Sequence, residues 1–193
     1  MRRDFKPLPG EELGRLFQSF RYTAYRLETL QEYRVPTEME EFARFLDDEN
    51  DGEGRSIVDP WIDRVVTPAK RAGKFMHRVH VVKTPLSDYL RFEFAWGYRH
   101  TVDAGENIKI LAVEEGEWPV DLPVGYDYWL FDSSCLVAMH YENDGSYVGA
   151  ELIEDPKRII QANYLRDLAV NTAVSYENFA QSFDAHFKIK THR

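Results

Sequence analysis

The 193-residue chain holds one cysteine, Cys135, which excludes an internal disulfide and a metal site built from several thiolates. No run of about 18 uncharged apolar residues occurs, so no transmembrane helix is expected. The opening Met1-Arg2-Arg3-Asp4-Phe5-Lys6 lacks the apolar stretch that a secretory signal needs. The expectation is a cytoplasmic protein with no membrane partner. A Gly-x-Ser-x-Gly elbow, a P-loop, a Gly-x-Gly-x-x-Gly loop and His-Glu-x-x-His are all absent, so no cofactor is implied. The histidines are His77, His80, His100, His140, His186 and His192, and no two stand at helical i, i+4 spacing. Internal repeats and low-complexity segments are missing too. An excess of positive charge is also missing: the net charge is −9, which argues against direct nucleic-acid binding.

What is present describes a globular chain. Hydrophobic residues make up 44% and aromatics 14%, enough for a real core. Charge is unevenly spread. Glu38, Glu40, Glu41, Asp47, Asp48, Glu49, Asp51 and Glu53 form an acidic block, and Arg64, Lys70, Arg71, Lys74, Arg78 and Lys83 a basic one. A local basic patch on an acidic protein favours a small anion or a protein partner over bulk nucleic acid. Asp47, Glu49, Asp51 and Gly52 imitate the start of a calcium-binding loop, but Val58 stands where a bidentate Glu is required. The stretch reads as a solvated loop between helices.

The periodicity predicts an α+β (α/β-like) chain with a mixed sheet. Residues 1–55 read as an N-terminal helical segment packing on a core formed by 56–193, the whole being one compact unit. Leu13, Leu16, Phe17 and Phe20 line one helical face, and Tyr22 to Tyr33 continue the apolar content. Thr37 with Glu40 forms a capping box for a helix through Leu46. Thr67–Gly73 is a short helix ended by glycine. Residues 75–83 form a strand with Val79 and Val81 on one face and Arg78, His80 and Val82 on the other. Thr84 caps a helix over 85–99, and 107–113 is a second strand, giving a parallel βαβ unit. Strands at 126–132, 136–141 and 147–153, the last two joined by an Asp144-Gly145 turn, make an antiparallel meander. Two C-terminal helices follow.

Candidate chemistry gathers around the βαβ unit. Arg78 and His80 share a strand face, and Tyr89 and Glu93 lie one turn apart on the next helix. Parallel βαβ units bind ligands at strand carboxyl ends, here near Lys83 and the N–H groups of Leu86 and Ser87. The bland alternative is a structural bridge from Arg78 to Glu93 or a neighbouring acid, with no ligand. His80, Lys83 and Asp88 come one residue short of a His-x-Lys-x4-Asp phosphodiesterase signature. An offset of three also puts the histidine and the lysine on opposite strand faces. Cys135 has no adjacent base and reads as a structural thiol.

The stretch Arg78 to Glu93, then Ala104 to Ile108, Trp129-Leu130-Phe131-Asp132, and Leu16-Phe17 with Tyr25-Arg26-Leu27-Glu28 resemble a streptomycete-type actinobacterial family of unknown function. The resemblance covers roughly residues 10–180. Its members are encoded beside helix-turn-helix regulators, which implies a regulatory companion role. Asp132 followed by the apolar strand Leu136 to Tyr141 also resembles a degenerate phospholipase D-like half. The histidine and lysine positions of that family fall on Gly125 and Asp127, so the likeness implies a lost active site. The combined expectation is a non-enzymatic regulatory or ligand-sensing module that forms a homodimer. Its partner would be a helix-turn-helix regulator or a small anionic ligand, and its binding residues Arg78, His80, Lys83, Tyr89, Glu93 and Asp132. The competing expectation is a phosphodiesterase-like hydrolase using His80 or His140.

Overall fold

The computed structural model describes residues 5–47, 55–114 and 116–187. The acidic loop beyond Asp47 lies outside them, and with it the calcium-loop pattern. The architecture is the expected α+β class with a mixed sheet. Seven strands run in the order β6-β5-β4-β1-β2-β3-β7. They are β1 (Thr23–Glu28), β2 (Phe75–Thr84), β3 (Asn107–Glu114), β4 (Asp127–Phe131), β5 (Cys135–Tyr141), β6 (Tyr147–Ile153) and β7 (Val174–Ser175). β1, β2 and β3 are parallel, β4, β5 and β6 form the antiparallel meander, and β7 runs antiparallel to β3. The helices are α1 (Gly10–Ser19), α2 (Met39–Leu46), α3 (Arg55–Trp61), α4 (Thr67–Arg71), α5 (Asp88–Phe92), α6 (Arg99–Ala104), α7 (Pro156–Thr172) and α8 (Tyr176–Phe187). π-Helical turns at Ile62–Val66 and Glu93–Tyr98 join α3 to α4 and α5 to α6.

The expectation of continuing helical content from Tyr22 to Tyr33 fails at Thr23–Glu28. That segment is a strand near the middle of the sheet, hydrogen-bonded to β2 on one side and β4 on the other. The reason lies in its neighbours. Both its faces are covered, so Ala24, Arg26 and Glu28 are buried as fully as Tyr25 and Leu27. The usual alternation of apolar and polar positions therefore carries no inside-outside signal. The chain before residue 56 thus supplies a central strand as well as helices.

The helix after β2 begins later than expected. β2 extends to Thr84, and α5 starts at Asp88, capped by the Ser87 hydroxyl, which accepts from Leu90 N at 3.2 Å.

Alternating residues send the strands' side chains into two different layers. Tyr25, Leu27, Val79, Val81, Leu111, Tyr128 and Leu130 meet Ala162, Leu165 and Ala169 of α7. Ala24, Met76, Trp129 and Phe131 point the other way, under Leu13, Leu16 and Phe17 of α1 and Trp61 of α3. Beside them Val82, Ile108 and Ile110 pack under Phe94, Tyr98 and the α8 residue Phe179. Between these last two clusters the sheet presents charged side chains, and there the candidate site lies.

Candidate functional site: an ionic floor beneath an aromatic cavity

Register places Arg26 of β1 beside Arg78 of β2, and Glu28 beside His80. Two guanidiniums as sheet neighbours repel unless an anion separates them. Glu28 is that anion: Oε1 accepts from Arg26 Nε at 2.8 Å and Oε2 from Arg78 Nη1 at 3.1 Å. Arg78 Nε also donates to Glu106 Oε1 at 2.7 Å, and the other oxygen of Glu106 accepts from Trp61 Nε1 at 3.1 Å. Arg26 Nη2 donates to the Tyr141 hydroxyl at 3.0 Å, and its guanidinium lies over the Trp129 ring, 5.3 Å from the centroid. Burial alone would raise the Glu28 carboxyl, but Arg78 and Arg26 together hold it well below the ordinary carboxylate range. Glu28 is therefore a permanent anion locked between two permanent cations.

A second acid closes the far end. Asp127 Oδ1 accepts from the backbone N–H and the hydroxyl of Thr29, each at 2.8 Å, and Oδ2 from the Tyr33 hydroxyl at 2.6 Å. Burial lifts this carboxyl to about 6, against the pull of Arg26 3.7 Å away.

His80 is fully buried and both ring nitrogens are engaged. Nε2 lies 2.8 Å from the Leu30 carbonyl, which only accepts, so this nitrogen carries a proton. Nδ1 lies 2.7 Å from the Tyr98 hydroxyl, which also reaches Glu28 Oε2 at 2.9 Å. Burial pushes the imidazole below its ordinary pKa, with Glu28 pulling the other way.

Above this floor is a cavity of about 310 Å³. Arg26, Glu28 and Arg78 lie at its base, Glu38 and Glu93 on its wall, and Phe17, Trp61, Phe92, Tyr98 and Trp129 supply aromatic surface. Glu93 comes from the π-helical turn, whose wider winding carries both Glu93 and Tyr98 to the same cavity. Its Oε2 is enclosed and has no hydrogen-bond partner. Among the described residues the basic group within 4 Å is His80, its Nδ1 at 3.9 Å. Burial raises the Glu93 carboxyl well above its ordinary value, and Glu28 adds to the rise. Among the described residues, no group of three or more His, Cys, Asp or Glu is arranged to hold a metal ion. No helix there is long and apolar enough to cross a membrane.

Of the six residues expected from sequence, Arg78, His80, Tyr89 and Glu93 come together, though in different roles. Arg78 and Glu93 face the cavity. His80 and Tyr89 stand behind its wall, the Tyr89 hydroxyl donating to Glu38 at 3.1 Å. Arg78 does form the structural bridge that was the alternative expectation, but to the neighbouring acids Glu28 and Glu106 and not to Glu93.

Lys83 is placed elsewhere: it is exposed and falls on the Val79–Val81 side of β2. Asp132 is also remote from the ionic floor. It follows β4 and accepts from the backbone N–H groups of Arg21, Tyr22 and Thr23 at 2.8, 2.7 and 3.0 Å, a cap for the start of β1. The cavity therefore sits over the last residues of β1, Arg26 and Glu28, and over Arg78 of β2, away from the β2 end at Lys83. Sequence reasoning missed Arg26, Glu28, Glu106, Trp61 and Trp129. The available signal was the pair Arg26 and Glu28, two residues apart with apolar Tyr25 and Leu27 alternating, which is strand spacing.

No curated protein matches this chain. A family model, Domain of unknown function (DUF6879), matches residues 11–181 and so takes in the whole of the ionic floor and the cavity walls. The chain belongs to that family of unknown function.

Proposed function

We propose that the protein is a non-enzymatic, ligand-sensing regulatory module whose sensor site is the cavity over Arg26, Glu28 and Arg78. The observation that carries this reading is the cavity itself, about 310 Å³ of space bounded by aromatic side chains and a paired ionic floor. That volume suits a small molecule, and a floor braced by hydrogen bonds needs no rearrangement to receive one. The partnership with a helix-turn-helix regulator rests on the family resemblance. The rival hydrolase reading has less support. His80 is shut behind the wall with both nitrogens engaged, and His140 is stacked on Phe5 and 2.9 Å from Glu151.

The test has two arms. Fractionated metabolites are added while the thermal midpoint and tryptophan fluorescence are followed, and at least one fraction raises the midpoint and changes the emission of Trp61 and Trp129. The purified regulator is then offered to the immobilised protein, with and without that fraction. No shift with any fraction overturns the sensing role, and no capture at micromolar concentration overturns the partnership.

A further inference from the structure

We propose that the cavity takes a protonated organic amine carried on a flat apolar body, with the ammonium N–H groups donating to Glu93. The proposal rests on the ligand-sensing reading of the same cavity and names the chemical class of its ligand.

The first argument is the balance of charge. The wall and floor carry three carboxyl groups, Glu28, Glu38 and Glu93, against two guanidiniums, Arg26 and Arg78. Both guanidiniums are already bound: Glu28 holds the two of them, and Glu106 holds Arg78 again. An incoming anion would have to compete with these carboxylates in a place where charge is poorly screened. An incoming cation meets acids that have no cation of their own.

The second argument is Glu93 Oε2. It is closed off from solvent and bonded to nothing, and an enclosed polar atom without a partner is costly. Glu93 also lines the cavity, so a turn of its carboxyl toward the ligand gives this oxygen an ammonium donor. The groups facing Glu93 are Arg26 and Glu28 from β1, Arg78 and His80 from β2, and Glu38 from the start of α2, with Tyr89 and Tyr98 from its own helix. None of the two guanidiniums or the imidazole hydrogen-bonds to it.

The third argument is the wall. Phe17, Trp61 and Trp129 are in mutual contact, with Phe17 edge-on to both indoles at 5.1 and 4.8 Å between centroids. Such a corner holds a flat hydrocarbon and offers ring faces to a cation.

Arg26 Nη1 and Arg78 Nη2 make no hydrogen bond among the described residues. They can donate to a carboxylate only where the ligand's own ammonium offsets its charge, since Glu28 and Glu106 already balance the two guanidiniums. A simple amine and an amino acid thus share the recognised group, and the experiment separates them.

In the empty cavity burial holds the Glu93 carboxyl well above its ordinary value. An ammonium favours the carboxylate, so amine binding draws that value back down and any proton given up goes to the buffer. Titration calorimetry is run at neutral pH in buffers of different ionisation enthalpy, with phenethylamine, phenylalanine, 3-phenylpropionate and benzyl alcohol as probes. Phenethylamine or phenylalanine binds at least about tenfold tighter than the other two, with net release of protons on binding. E93Q, with its fold checked by circular dichroism, loses about tenfold in affinity and abolishes the proton release. Should E93Q not fold, the ranking and the proton count on the unaltered protein still decide. Tighter binding of 3-phenylpropionate or benzyl alcohol overturns the amine while leaving a ligand-binding cavity. Binding of none of the four at millimolar concentration also overturns the amine, and the metabolite-fraction screen then decides the sensing role separately. Amine binding without proton release overturns the role of Glu93.

Discussion

The two faces of the sheet are built from the same strands and could hardly differ more. Toward α7, Tyr25, Leu27, Val79, Val81 and Leu130 form a dry layer closed by Ala162, Leu165 and Ala169. Toward the cavity, the intervening residues Arg26, Glu28, Arg78 and His80 are buried just as deeply. Burying apolar surface is favourable at about 25 cal/mol per Å². Burying paired charges is at best near neutral against an apolar replacement. A chain selected for stability alone has no use for the second arrangement. The α7 face holds the fold together, and the cavity face spends that surplus on a fixed array of donors and acceptors.

The sharpest way to break the comparison is to remove the anion that joins the two arginines. Glu28→Ala leaves two guanidiniums side by side with no carboxylate between them, and is expected to cost about 3–5 kcal/mol in urea denaturation. The triple change Arg26→Met, Glu28→Leu and Arg78→Met, made in a Glu106→Gln background, removes the ion pairs of Glu28 together with the buried carboxylate that Arg78 would leave behind. It should restore most of that loss, because Asp127 keeps Thr29 and Tyr33 as hydrogen-bond partners. If Glu28→Ala proves as mild as a surface change, the floor is wetter than its geometry indicates. On the other face, Leu130→Ala removes a fully buried side chain from the cluster that joins Tyr25, Leu27 and Leu136 to α7. A loss of about 3 kcal/mol is expected, from lost burial plus the cavity left behind. No partner change on the α7 face should rescue it as the triple change rescues Glu28→Ala.

The same contrast explains what was legible in the sequence. The α7 side of β2, the βαβ unit, the hairpin at Asp144-Gly145 and the long helix after Asp155-Pro156 were all readable, because period-2 strands, turn residues and caps are local signals. β1 was not. Tyr22, Tyr25, Leu27 and Leu30 recur closely enough to pass for a helix, and Arg26 and Glu28 look like solvent positions. Only pairing with β2 and β4, more than 45 residues away along the chain, makes both faces interior. Losing β1 meant losing the floor: Arg78 and Glu93 were visible as candidates, while the Glu28 that claims Arg78 was not. Lys83 drew attention through its place at the carboxyl end of β2, and Asp132 through motif likeness. A strand offset of three and a backbone-capping role place them outside the cavity.

Asp132 tests that separation. Its carboxylate accepts three backbone N–H groups at the start of β1 in a mostly exposed position, and those bonds keep its pKa low. Asp132→Ala should cost about 1–2 kcal/mol, comparable to losing a helix cap. Binding of any cavity ligand should be unchanged once the protein is folded. A loss of ligand affinity out of proportion to the loss of stability would return Asp132 to the site.

The smallest expected effect is a pair of opposed pH slopes, one from each face. His77 points toward α7. Burial, helped by Arg166 and Lys109, holds its imidazole down to about 4 from 6.5. Between those values the unfolded chain binds more protons than the folded one, so this contribution to stability rises with pH and is lost on acidification. Asp127 on the cavity face behaves in the opposite sense. Its folded carboxyl is raised to about 6 from 3.8, the folded chain holds the extra proton, and stability falls as pH rises through that window. Urea midpoints measured from pH 4 to 7 should show the rising component disappear in His77→Phe and the falling component disappear in Asp127→Asn. The slopes belong to different layers with different partners, so each substitution should leave the other's slope intact. If Asp127→Asn flattens both, the two faces are electrostatically one body and the contrast between a dry layer and a charged one fails.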